Sequence, residues 1–368
     1  MMSAVNHAAH YFLTANSPQG FVSRFTELSN VKDGWHILIL KGGPGCGKST
    51  FIKNLFLLLA DREPHPELIH CTADPSKLDA AVFPTLKFCV VDGTRPHALE
   101  PRYPGVYEHT LDLSVYLNTD RLESYRDAII TLTNESELTS RRAVRFISAS
   151  GSLISDTYRM ALEETDIGKI RKYAARLAAR EMKPRGKSPG KEIPRLLSCV
   201  TQEGIMMFLD TPSVLCDHVC LIEDEYGSVN RLLLQALKDH ALRAGYDVIA
   251  CYCPISPFEK LEHLFIPALR LGYMTSNHWH PITVSDCRTI HARRFLNLDA
   301  LKTKKARIRF NRKASLELLG EAGKLIHEAK LIHDDLEAYY GNCMDFSELD
   351  SLAQGVAAKV LQKNPEIL

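Results

Sequence analysis

Trp35-His-Ile-Leu-Ile-Leu-Lys41, then Gly42-Gly-Pro-Gly-Cys-Gly-Lys-Ser-Thr50, then Phe51-Ile-Lys-Asn-Leu-Phe-Leu-Leu-Leu-Ala60: the reading of this stretch decides the fold. The first segment is a short apolar run and reads as a buried strand, and the last reads as a helix. Between them stands Gly-x-x-x-x-Gly-Lys-Ser, in the strand, loop, helix setting that a phosphate-binding loop requires. Backbone N–H groups of Gly43 to Lys48 are expected to face an anion at the start of the helix, where the helix dipole adds partial positive charge.

Working outward, apolar runs at Glu67–Thr72 and Lys87–Asp92 read as two further strands. The order of elements implies an α/β fold, a parallel sheet with covering helices, of the P-loop NTPase kind. Gly42, Gly43, Pro44, Gly45, Cys46 and Gly47 then form the phosphate cradle, and Lys48 is expected to bridge β- and γ-phosphates. The Ser49 hydroxyl is expected to ligate Mg²⁺, and Thr50 to lie by the α-phosphate. Asp92 ends its strand where the carboxylate that holds Mg²⁺ through water is expected, so Ser49 and Asp92 are the metal candidates and Lys48 and Asp92 the catalytic ones. Gly93 stands where many P-loop ATPases carry a water-activating Glu, so no hydrolytic base is visible locally. Asp74, at a strand end before Pro75, reads equally as a phosphoryl-acceptor ligand and as a turn residue. Arg95 and Arg102 are candidate charge-stabilising arginines.

The second half of the chain repeats the first. Ile37-Leu-Ile-Leu-Lys41 matches Val219-Cys-Leu-Ile-Glu223, and Ser76–Phe88 matches Glu259–Leu271 with Lys77/Lys260, Leu78/Leu261, Pro84/Pro267 and Leu86/Leu269 identical. Leu117-Asn-Thr-Asp matches Leu296-Asn-Leu-Asp. At the glycine loop the second copy reads Glu223-Asp-Glu-Tyr-Gly-Ser-Val-Asn-Arg231. Gly45 keeps a partner in Gly227, but Gly47, Lys48 and Ser49 face Val229, Asn230 and Arg231, and Asp92 faces Thr275. Glu223, Asp224 and Glu225 would repel phosphate at short range. Copy one therefore reads as the active site and copy two as a pseudo-domain. His97 and His280 are equivalent and present in both copies, which favours a structural role. The expected segments are a P-loop domain at 1–118, a helical arm at 119–182, a Pro- and Gly-rich linker at 183–194, a degenerate P-loop-like domain at 195–297 and a second arm at 298–368. The two copies are expected to pack as an intramolecular pseudo-dimer.

Composition excludes several classes. The 368 residues carry formal net charge +1, with 45% hydrophobic and 24% charged residues, as in ordinary globular proteins and unlike disordered or collagen-like chains. No run approaches about 18 consecutive apolar residues, so no transmembrane helix and no membrane partner is expected. The N-terminus lacks a basic segment followed by an apolar one, and a cytoplasmic protein is the expectation. The ten cysteines lack zinc-ligand spacing and read as reduced core thiols. Basic runs at 169–195 and 301–315 offer a track for nucleic acid, but a solvated helix face is favoured because no aromatic interleaving accompanies them.

Lys41–Thr50, His70-Cys-Thr-Ala-Asp-Pro-Ser-Lys-Leu-Asp, Val91-Asp-Gly-Thr-Arg-Pro-His and Glu100-Pro-Arg-Tyr-Pro-Gly together resemble a little-characterised bacterial family of tandem P-loop ATPases. The resemblance implies two P-loop NTPase domains, each with a helical extension, and carries over the Gly42–Thr50 and Asp92 roles. It departs at Glu223–Arg231, since the family's second copy usually looks like a working loop. The expected function is ATP binding at one competent site, with Mg²⁺, in a slow ATPase or ATP-driven switch. The alternatives are a small-molecule or nucleotide kinase and a non-catalytic, nucleotide-gated module that acts on a protein partner through its helical arms.

Overall fold

A computed structural model of the chain describes residues 7–28, 34–186, 188–283 and 287–362. They fall into two compact units, one of Met1–Thr14, Phe21–Ala143 and Gly323–Leu368, the other of Ala15–Gly20 and Val144–Ala322.

The strands of the first half are β1 (Ala9–Tyr11), β2 (Thr14–Ser17), β3 (Gly20–Ser23), β4 (His36–Lys41), β5 (Glu67–His70), β6 (Leu78–Phe83), β7 (Phe88–Asp92) and β8 (Glu108–Asp112). The first unit's sheet has the order β1-β5-β6-β7-β4-β8. β4 lies between β7 and β8 and is parallel to both. β6 runs antiparallel to β5 and to β7, so the sheet is mixed where a parallel one was expected. The cause is chain length. Seven residues join β5 to β6 and four join β6 to β7, too few for the dozen or more of a parallel crossover, and the chain folds as a meander instead. Leu78–Phe83, buried at all six positions, supplies the reversed strand.

α1 (Lys48–Leu59) follows β4 and buries Phe51, Ile52, Leu55, Phe56 and Leu59, one stripe at helical spacing. The stripe packs on Leu38, Leu40, Phe83, Phe88 and Val90 of the sheet. Its other neighbour comes from the far end of the chain, α9 (Leu349–Leu361), through Ala353, Val356, Ala357 and Val360.

The second half forms β9 (Glu192–Arg195), β10 (Ser198–Thr201), β11 (Gly204–Met207), β12 (His218–Glu223), β13 (Val248–Cys253), β14 (Ser256–Ile266), β15 (Leu271–Ser276) and β16 (Arg288–His291). The second unit's sheet reads β9-β13-β14-β15-β12-β16, the same order, again with its third strand reversed. The turn into β7 holds Lys87 at φ 52 and the turn into β15 holds Arg270 at φ 49, a left-handed conformation at matching positions. The stretch expected as a linker is held in this unit. Arg185 N–H donates to Ala244 O and Gly190 N–H to Leu242 O, and Glu192–Arg195 pairs with β13. Pro194 is tolerated because β9 is an edge strand.

The remaining helices are α2 (Thr119–Glu123), α3 (Arg126–Leu162), α4 (Ile167–Glu181), α5 (Thr211–Leu215), α6 (Ser228–Arg243), α7 (Leu298–Thr303) and α8 (Lys305–Gly341). Asn118 caps α2 and Asn297 caps α7, each accepting an N–H three residues on. α3 and α8 have 37 residues each, about 55 Å of helix at 1.5 Å per residue, longer than a small domain is wide. The division between units falls inside both: α3 starts in the first unit and ends in the second, and α8 does the reverse. The arms therefore end on exchanged partners. α4 packs on α6 in the second unit, and α9 packs on α1 in the first.

Candidate functional site

The glycine loop leaves β4 at Lys41 and enters α1 at Lys48. Gly42, Gly45 and Gly47 take φ of 145, 70 and 82, values that side-chain-bearing residues rarely adopt, and Gly47 is the N-cap. This is why the loop needs its glycines. Lys48, largely buried, donates to Gly42 O at 3.0 Å and Gly43 O at 2.8 Å, and its Nζ lies 3.7 Å from Asp92 Oδ2. Ser49 Oγ accepts Leu78 N–H at 2.8 Å, which places the hydroxyl beside the start of β6. Asp92 Oδ1 accepts from Thr94 N–H at 2.9 Å and Thr94 Oγ at 2.6 Å. Thr50 is exposed, and Cys46 is buried with Leu113, Met344 and Leu349.

The structure thus brings Lys48, Ser49 and Asp92 to the end of the sheet where β4 and β7 finish and β6 starts. It does not bring Arg102, whose guanidinium stacks on Tyr103 at 5.4 Å, and Arg95 is exposed. Asp74 closes a local turn through Ser76 and lies 3.5 Å from Lys330. His97 sits edge-on to Phe25 at 4.8 Å, with Nε2 4.0 Å from Asp92 Oδ1, a packed position. His280 has the matching place in the second unit, 3.9 Å from Glu262.

Three features of the first unit escaped the sequence reading. Asp79 is buried beside this cluster; burial pushes its carboxyl up to about 6, the nearby His97 works against that, and the Asp92 charge adds to it. Asp79 lies opposite Glu262 in the internal match, which was the available signal. The second is the end of α8, which packs directly on the glycine loop. A Cβ on Gly43 would meet the Tyr340 ring at 2.5 Å and one on Gly45 would meet Glu337 O at 2.4 Å, while one on Gly47 would meet Leu349, the first residue of α9, at 3.0 Å. The third is the ion network that ties this helix end down. Lys77 Nζ is 2.6 Å from Glu337 and 3.7 Å from Asp334, Lys330 is 2.5 Å from Asp334, and His333 is 3.4 Å from Glu337. Burial alone would raise the Glu337 carboxyl, but His333 and Lys77 outweigh it and hold it down to about 2.

Part of the basic runs is engaged within the second unit: Lys169 donates to Arg294 O, Lys304 meets Glu163 and Glu164, and Arg307 meets Asp156. Among the described residues, no group of three or more His, Cys, Asp or Glu is arranged to hold a metal, and no helix is long and apolar enough to cross a membrane. Comparison with known proteins finds no family model, no curated protein and no solved structure that matches the chain. The resemblance given above therefore rests on the quoted residues.

Proposed function

We propose that this chain is an ATP-binding protein built from two P-loop NTPase copies, with one competent site at Gly42–Thr50, and that it works as a slow ATPase or ATP-driven switch. One observation carries the reading: a glycine loop with left-handed backbone at 42, 45 and 47, between strand and helix, with the Lys48 ammonium at its mouth 3.7 Å from Asp92. The donor set fits Mg²⁺. A hydroxyl (Ser49) and a carboxylate (Asp92) are hard oxygen ligands, and Mg²⁺ at nucleotide sites takes few protein ligands because phosphates and waters supply the rest. When bound, Mg²⁺ would neutralise phosphate charge; Lys48 would add a second cation beside it.

Two features support slow turnover coupled to a switch. Position 93 has no room for a Glu, since a Cβ there would lie 2.3 Å from Ile39 Cγ2. The end of α8 rests on the loop, so a ligand there acts on a helix that continues into the second unit. The bare Gly93 also favours a second reading, phosphoryl transfer to a small acceptor. The test is thermal stability with MgATP, in the parent and in Lys48→Ala. The parent should gain several degrees, as binding at 100 times Kd contributes about 2.7 kcal/mol, and the variant should gain nothing. An equal gain in both refutes the site. ADP release that appears only when a metabolite extract is added selects the kinase reading.

A further inference from the structure

The second loop, Glu223–Arg231, has lost the residues that bind phosphate, yet its backbone still forms a cup. Gly227 is left-handed at φ 77, as Gly45 is at φ 70. Val229, standing where Gly47 does, joins the helix instead, so α6 begins at Ser228. The cup is filled. Asp224, 1% exposed, turns its carboxylate into it: Oδ1 accepts Tyr226 N–H at 3.1 Å and Gly227 N–H at 3.1 Å, and Oδ2 accepts Val229 N–H and Asn230 N–H at 2.8 Å each. An ordinary N-cap oxygen satisfies one or two N–H groups of a first turn. Here one anion gathers four, from the loop and the helix together.

The surroundings are matched to an internal anion. Lys260, half-buried and paired with the buried Glu262 at 2.7 Å, has its Nζ 3.6 Å from where a Gly227 Cβ would stand. The Lys48–Asp92 ion pair of the first unit is replaced by a neutral one, Asn230 Nδ2 donating to Thr275 Oγ1 at 3.2 Å. Arg231 turns away, over Tyr158 at 5.0 Å and toward Glu259 at 3.2 Å. The expectation that Asp224 repels phosphate becomes more specific: it takes the place that a phosphate oxyanion would take.

We propose that the Asp224 carboxylate is a tethered substitute for phosphate, which keeps the second loop in its ligand-bound form without nucleotide, and that removing it uncovers a site for a tetrahedral oxyanion such as inorganic phosphate. Two oxygens on four backbone N–H groups at a helix start match what a phosphate offers there. Being part of the chain, the carboxylate is present at high effective concentration and needs no pool of free ligand.

The test is hydrogen exchange of peptides covering 224–237 in the full chain, in chloride and in about 20 mM inorganic phosphate at equal ionic strength. The readout is local to the second loop, so it stands whether or not the first loop takes nucleotide. The parent peptides should exchange slowly and alike in both buffers. Asp224→Ala should exchange at least about tenfold faster in chloride, the equivalent of about 1.4 kcal/mol from hydrogen bonds that each contribute about 1, and phosphate should restore protection. Asp224→Asn, which keeps the size and one accepting oxygen, should also exchange faster than the parent and serves if the alanine variant fails to fold. Parent-like protection of the variants in chloride, or acceleration that phosphate does not reverse, overturns the proposal.

Discussion

Gly45→Ala measures whether the end of α8 is seated on the glycine loop. Two costs add at this position. Gly45 has φ 70, and a left-handed residue with a Cβ costs about 1–2 kcal/mol. Its new Cβ would also stand 2.4 Å from the Glu337 carbonyl oxygen and 3.1 Å from Glu337 C and Cα. Backbone is the least yielding neighbour, and contacts under 3.0 Å do not persist, so helix and loop must part by at least about 0.6 Å. Overpacking of this kind costs about 1–3 kcal/mol, which brings the total to about 2–5. Gly105→Ala isolates the first cost, because Gly105 has φ 76 and nothing within 4 Å of its Cβ position. The assay is urea unfolding of parent and both variants, followed by circular dichroism. The expected order is parent, then Gly105→Ala lower by about 1–2 kcal/mol, then Gly45→Ala lower by about 2–5. Equal losses in the two variants would refute the contact between Glu337 and the loop, and with it the proposed route from a ligand at the loop to the helix.

Calorimetric titration of the parent with MgATP should give one nucleotide per chain, unchanged in Asn230→Ala/Arg231→Ala, and a value near two would show a second working loop. Asp79 has its carboxyl raised from 3.8 to about 6, so between those values the folded chain holds a proton that the unfolded chain has lost, and stability falls as pH rises through that window. The shift of about two units corresponds to about 3 kcal/mol, so Asp79→Asn should gain on the parent by up to that amount between pH 4 and 7 in urea midpoints. A difference that stays flat with pH would show that Asp79 is not buried as a carboxylate.

The strand, glycine loop and helix at 35–60 were legible in the sequence because each is local: an apolar run, a glycine spacing that demands left-handed backbone, and a stripe at helical period. The internal match was legible for the same reason, and it carried the equivalent turns at Lys87 and Arg270 and the caps at Asn118 and Asn297. The reversed strand at Leu78–Phe83 was not read as a strand, because an apolar run does not state its direction; the short connections on either side decide it.

The tertiary structure alone decided what lies on the loop. Lys77 and Glu337 are 260 residues apart, and their meeting depends on α8 ending in the first unit, which no local pattern encodes. The same holds for the exchanged arms, where a 37-residue helix carries the chain from one core to the other. Asp224 shows the limit most plainly. The sequence determined that an acid stands in the second loop, and Coulomb's law that it opposes phosphate. Only the backbone's curl, which turns four N–H groups onto its two oxygens, decided that the acid is the loop's own ligand. A charge pattern gives the sign of an interaction, whereas three-dimensional packing decides which donors are in reach.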